Sequence, residues 1–115
     1  MAGVVHIPWY ASVFRGDKLA AAIAEVSAFA PRYGATQYRV HRSRDDAYKF
    51  VQMVWFDSKL DWERYWEGPE MTAMRARCSG WYQVPVLYVW HEEIAVDVIE
   101  SAQAGPAPAQ APSAF

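Results

Sequence analysis

The sequence predicts an α+β sandwich with the element order β-α-β-β-α-β, an antiparallel sheet and both helices on one face. Three observations carry this expectation. Apolar and aromatic runs of strand length lie at residues 4–14, 36–43, 48–56 and 82–94. Stretches with helical apolar spacing lie at 18–33 and 58–78, between the first and second runs and between the third and fourth. The second and third runs are joined by the polar turn Ser43-Arg44-Asp45-Asp46, which suits an antiparallel hairpin.

The first strand is expected over Val4 to Phe14, with Pro8 marking an edge, a bulge or a strand end. Asp17 is the expected N-cap of a helix from Lys18 to Tyr33, whose buried stripe is Leu19, Ile23, Val26 and Ala30, widened by Phe29 and Tyr33. Gly34 suits its stop. Thr36 to Ser43 forms the second strand. The third, Tyr48 to Phe56, alternates Tyr48, Phe50, Gln52, Val54 and Phe56 with Lys49, Val51, Met53 and Trp55. Both sets are mainly apolar, so cover is expected on both faces: helices on one, a second subunit on the other. Ser58 is the expected N-cap of the second helix, with Asp61 three residues on. Gly68 and Pro69 should break that helix before it ends near Gly80. The last strand, Tyr82 to Ile94, again alternates apolar residues on both faces, with Pro85 marking an edge or bulge. Val96 to Glu100 suits a short extra strand or a helical turn. The whole is a ferredoxin-like sandwich.

A chain of 115 residues, 53% hydrophobic and 16% aromatic, makes one domain with ample core material, expected over residues 1–100. From Ala102 the composition turns to Ala, Pro and Gln, so residues 101–115 are expected to be a disordered tail. A net charge of −2 gives no electrostatic reason to expect nucleic acid or an anionic membrane as partner. The single cysteine, Cys78, excludes an internal disulfide and a cysteine-cluster metal site. Pro8 and Trp9 interrupt the early apolar run, so no secretory leader is expected. Nor does any run approach the roughly 18 apolar residues of a membrane helix. A cytoplasmic protein is the expectation.

Residues 41–71, HRSRDDAYKFVQMVWFDSKLDWERYWEGPEM, carry a polar Arg-Ser turn, a strand ending in an aromatic, a Ser-Lys helix start and a Tyr-Trp pair. This segment resembles the dimeric α/β-barrel superfamily, most closely the antibiotic biosynthesis monooxygenase branch. The resemblance implies a homodimer whose two sheets pack into a barrel, with a pocket in each subunit between sheet and helices. It also implies two activities to weigh. Cofactor-free members oxidise polycyclic phenols with an amide on the third strand, an aromatic at its end, and an aromatic and an Arg on the next helix. The matching positions here are Gln52, Phe56, Trp62 and Arg75, with Gln replacing Asn and Phe replacing the commoner Trp. Haem-degrading members use a strand-one Asn and a helix-two His; this chain has no Asn in strand one and Arg75 near the His position.

The candidate catalytic residues are therefore Gln52, Trp62 and Arg75, and the candidate substrate-binding residues are Phe50, Phe56, Tyr65 and Trp66. The expected ligand is a hydrophobic aromatic small molecule in a pocket between the second helix and the face of Phe50, Gln52, Val54 and Phe56. Each residue also has a plainer reading: Trp62, Tyr65 and Trp66 as packed core, Gln52 as a structural hydrogen-bond partner. His6, His41 and His91 fall on three different strands, and two of them can meet across the sheet. They lack the spacing of a helical metal motif, so no metal site is expected, while any one of them is a credible general base. The sequence shows no glycine-rich phosphate loop, no Ser-His-Asp order and no paired-carboxylate signature, so neither a nucleotide cofactor nor hydrolase chemistry is expected. The leading expectation is a cofactor-independent monooxygenase that uses dioxygen. The alternative is a non-catalytic ligand-binding or assembly module of the same fold.

Overall fold

A computed structural model describes residues 1–99. Four strands, β1 (Gly3–Tyr10), β2 (Ala35–Arg42), β3 (Lys49–Phe56) and β4 (Val89–His91), form one sheet in the order β2-β3-β1-β4. Every pairing is antiparallel. Three helices, α1 (Gly16–Ser27), α2 (Lys59–Glu67) and α3 (Pro69–Arg77), complete the ferredoxin-like order expected from the sequence. The expected tail at 101–115 lies outside the described residues.

Period-two alternation decides what the sheet buries. In β1, Val5, Ile7 and Trp9 point to the helices; opposite them on β3 stand Val54, Gln52 and Phe50. With Leu19, Ile23 and Val26 of α1, Trp62 and Tyr65 of α2, and Met71 and Met74 of α3, they make one core. The other face carries Val4, His6, Pro8 and Tyr10 beside Trp55, Met53, Val51 and Lys49, and no helix covers it. Its apolar members on β3 are half-buried.

Local chemistry sets the boundaries. Ser58 is the N-cap of α2, its hydroxyl accepting from the Asp61 amide at 3.2 Å, as the sequence predicts. Gly68 separates α2 from α3, with Pro69 opening the second segment. A Cβ at Gly68 would run into the Tyr33 hydroxyl and lie 2.9 Å from the Arg64 carbonyl, so only glycine lets this joint close onto Tyr33.

Four expectations need correction. The first helix ends at Ser27 rather than Tyr33, because Pro31 has no N–H to donate to the Ser27 carbonyl four residues back; Ala30–Tyr33 forms a 3₁₀ turn closed by Gly34 at φ 95°. Asp17 is not the N-cap. Arg15 holds that position without a side-chain bond, and Asp17 accepts from Arg42 at 2.8 Å. The last strand is three residues long, not thirteen, and within the single chain Leu87 is 68% exposed and Val89 51%. The reason lies in β1. Ala11 donates its amide to the Tyr48 carbonyl, so odd-numbered residues of β1 bond to β3 and the even-numbered ones face the β4 side. There Pro8 has no N–H to offer, and the approaching chain carries Pro85, so the ladder cannot run on. Contact resumes only where the Gln83 amide donates to the Tyr10 carbonyl at 2.8 Å. Finally, residues 92–99 adopt neither strand nor helix, so the extra element expected at Val96 to Glu100 is absent from the part described.

Candidate active site

The candidate residues meet in two zones. The first is a closed polar network at the centre of the core. Gln52 is fully buried, and its amide has partners on both sides. Its Oε1 accepts from Trp9 Nε1 at 3.0 Å, and its Nε2 donates to Ser27 Oγ at 2.8 Å and to the Tyr65 hydroxyl at 3.1 Å. Ser27 in turn donates to the Ile23 carbonyl and Tyr65 to the Val26 carbonyl, each at 2.7 Å. The sheet thus ties itself to the last turn of α1 and to α2 through one glutamine. Burial raises the Tyr65 phenol far above its ordinary range, outweighing the hydrogen bond from Gln52, so Tyr65 remains a neutral donor.

Phe50, Phe56, Trp62 and Tyr65 are packed around this network at near-zero exposure. The pocket expected between the second helix and the face of Phe50, Gln52, Val54 and Phe56 is therefore filled by the side chains that were to line it. Phe56 lies 5.9 Å from the ring of Tyr65 and 6.5 Å from that of Trp62. The physical reason is that Gln52 and Tyr65 satisfy each other, which removes the polar opening a wet pocket needs.

Gln52→Leu then has a definite expected result. Leucine fills much of the volume but strands the Trp9 N–H in the core, so the protein should lose about 1–3 kcal/mol of stability. Equilibrium urea unfolding checks this. An unchanged midpoint would mean that water reaches the amide site and that the pocket is open.

The second zone is an aromatic seam at the rim. Trp66 is half-buried, with ring centroids of Trp62 at 5.4 Å, Tyr88 at 5.0 Å and Trp9 at 6.2 Å. Tyr82 meets Trp9 edge-on at 5.0 Å. The guanidinium of Arg75 lies 4.2 Å from the Trp66 ring and donates from Nη2 to the Trp66 carbonyl at 2.7 Å. Its Nε is buried with no hydrogen-bond partner among the described residues. Burial raises the Tyr82 phenol, an effect that Arg75 partly offsets. Where residues 84–87 leave the sheet, a cleft of about 310 Å³ opens between them and Pro8, Trp9 and Tyr10. Pro8, Tyr10 and Lys49 turn this cleft toward the uncovered sheet face, away from the seam.

Sequence reasoning placed Trp66 and Arg75 in the site and missed Trp9, Tyr82, Tyr88 and Ser27. Trp9 was legible in the alternation Val5-Ile7-Trp9; Tyr82 and Tyr88 were masked by the expectation of a continuous strand. The histidines are not at this site. His6, His41 and His91 all project from the uncovered sheet face, as their registers with Met53, Val51 and Val4 require. Burial, and His91 beside it, lower the pKa of His6 below the usual imidazole value.

Fold and seam define an α+β domain of ferredoxin-like type, with helices on one sheet face and an aromatic rim beside them. Solved structures place that fold more narrowly. A Nitrosomonas europaea protein provisionally named an antibiotic biosynthesis monooxygenase superposes with a TM-score of 0.74 at 16% identity, over 81% of this chain and 90% of that one. Rv0793 of Mycobacterium tuberculosis gives 0.73 at 14% identity, over 85% and 100%. SnoaB of Streptomyces nogalater, a cofactor-independent oxygenase, gives 0.71 at 11% identity, over 83% and 95%. The chain has the antibiotic biosynthesis monooxygenase-like fold, and identities this low speak to the fold alone. No family model matches the chain, and no curated protein matches it in sequence. No helix among the described residues is long and apolar enough to cross a membrane.

Proposed function

We propose that the chain is a small-molecule-binding homodimer, carried by residues 1–100 and working in the cytoplasm, that acts as a cofactor-independent monooxygenase on an aromatic or polyketide-like phenol or quinol. The observation that carries this reading is the buried Nε–H of Arg75, without a partner among the described residues, against the flat face of Trp66. A buried donor without a partner beside an aromatic face suits a planar ligand with an ionisable oxygen that displaces the side chains over it. The fold shared with a cofactor-independent oxygenase supports the same reading. The uncovered apolar row of Val51, Met53 and Trp55 supports the second subunit.

In this mechanism the substrate supplies the electrons. Its oxygen ionises, and the guanidinium of Arg75 stabilises the anion that forms. The histidines lie across the sheet, so the proton passes to solvent rather than to an imidazole. The electron-rich ring carbon then adds dioxygen, forming a C–O bond and a peroxide. Protonation and loss of water leave a carbonyl at that carbon. One oxygen atom enters the product, the other leaves as water, and both hydrogens of the oxidised CH₂ group leave with it.

The closed network around Gln52 favours a second reading, a binding module without turnover, because the amide aligned with the family's catalytic position has its hydrogen bonds satisfied internally. Oxygen uptake separates the two. Purified protein mixed with an anthrone should consume dioxygen and yield the quinone faster than buffer alone. Saturable binding of the anthrone without added uptake would establish the binding module instead.

A further inference from the structure

The aromatic seam holds a phenol of its own. Tyr88 stands just before β4, and its ring centroid lies 5.0 Å from that of Trp62, edge-on, and 5.0 Å from that of Trp66, tilted at 53°. Trp66 is the same indole that carries the Arg75 guanidinium. Of the seam's rings Tyr88 is the most exposed, at 43%, against 1% for Trp9 and 2% for Trp62. It is also the least tied. Tyr10, Tyr33 and Tyr65 each donate a hydrogen bond through the hydroxyl, whereas the Tyr88 hydroxyl has no hydrogen-bond partner among the described residues. The backbone leading to it is held as lightly. The Gln83 amide donates to the Tyr10 carbonyl, and from there to β4 no backbone hydrogen bond among the described residues involves 84–88.

We propose that Tyr88 is a side-chain plug: its ring fills the aromatic slot that a planar phenolic ligand takes against Trp62 and Trp66, and swings out when that ligand enters. This rests on the site proposed at Arg75 and Trp66, and it names the side chain that the ligand displaces there. The plug matches the slot only in part. It gives a ring to the two indoles but no oxygen to Arg75, whose Nε–H stays buried without a partner among the described residues. A free phenol gives both, and that difference in contacts is what shifts Tyr88 from its seat. The movement is one of the side chain alone. Val89 pairs with His6 and lies on the face that the proposed second subunit covers, while Tyr88 lies on the helix side against Trp62. Rotation about its own side-chain bonds therefore disturbs neither β4 nor the dimer. Val86, packed against the core, keeps the backbone in place meanwhile. A plugged site binds more weakly than an open one in proportion to the fraction of time it stands open, and removing the plug restores the intrinsic affinity.

The test is calorimetric titration of the full-length protein with 2-naphthol, a planar phenol. Tyr88→Ala should bind it about tenfold more tightly than wild type. Tyr88→Phe should bind as wild type does, because the ring and not the hydroxyl is the plug. Unchanged or weaker binding in Tyr88→Ala would make Tyr88 a wall of the site and overturn the proposal. So would tightening in Tyr88→Phe. No saturable binding by either wild type or Tyr88→Ala would overturn the plug together with the site it rests on. The oxygenase reading fails separately: tightening in Tyr88→Ala without any anthrone-dependent oxygen uptake would uphold the plug and leave a binding site without turnover. Should Tyr88→Ala misfold, nuclear Overhauser contacts in wild type give a second readout. Those between the Tyr88 ring and the Trp62 indole should vanish at saturating 2-naphthol, while those between Trp62 and Phe56 remain. Tyr88 contacts that persist in the saturated protein would sink the proposal.

Discussion

Arg75→Met should lower kcat/KM for anthrone or quinol oxidation by about 10²–10³-fold, the usual loss when one preorganised donor to a developing oxyanion is removed. Methionine keeps the unbranched stem that packs beside Trp66 but deletes every N–H of the guanidinium. Three things go together in that change: the buried Nε donor, the bond to the Trp66 carbonyl at 2.7 Å, and the charge 4.2 Å from the Trp66 ring. Arg75→Lys should recover only part of the rate, because an ammonium restores the charge without the planar set of donors. Oxygen-electrode kinetics on folded variants, checked by circular dichroism, measure this. Wild-type rate constants in Arg75→Met would reduce Arg75 to a packing residue and leave the oxygenase reading without its site.

Trp62→Ala should cost about 3–5 kcal/mol of folding stability, the range for deleting a large buried aromatic. Trp62 is almost wholly buried and touches the rings of Phe56, Tyr65, Trp66 and Tyr88, with centroids 5.0–6.5 Å away. Those neighbours come from β3, α2 and the segment before β4, so the cavity left behind cannot be closed by moving one element. A small domain holds only about 5–15 kcal/mol in total, so the urea midpoint should fall steeply. Trp62→Phe should keep most of the stability by filling most of the volume. A loss below about 1 kcal/mol for the alanine variant would mean that Trp62 faces an open pocket. The sequence-based assignment of Trp62 as a catalytic wall would then stand.

These two predictions divide the candidate residues along the line the structure draws. Trp62, Tyr65, Phe50, Phe56 and Gln52 interlock in the core, while Trp66 and Arg75 sit at its rim. Nothing in the sequence separates the two groups, because a buried core aromatic and a pocket-wall aromatic have the same helical spacing. Solvent access depends on how tightly α2 closes on β3, and that follows from the mutual satisfaction of Gln52, Trp9, Ser27 and Tyr65. The directly bonded pairs among them lie up to 43 residues apart, far beyond any local pattern.

The sequence by itself determined the features governed by local rules. Period-two alternation gave β3 and the face it buries; Ser58 gave the start of α2; Gly68 and Pro69 gave the break before α3; and the Ser43–Asp46 turn gave the hairpin. Together they fixed the β-α-β-β-α-β order, because each signal acts over a few residues. Tertiary structure alone decided three matters. It shortened the last strand, because the missing amide of Pro8 on β1 faces a chain that itself carries Pro85. It sent all three histidines to the face away from the aromatic seam and brought His6 against His91, because the strand register β1 adopts with β3 and β4 is a non-local choice. And it closed the core over Gln52, because a buried amide takes whatever partners packing brings within reach.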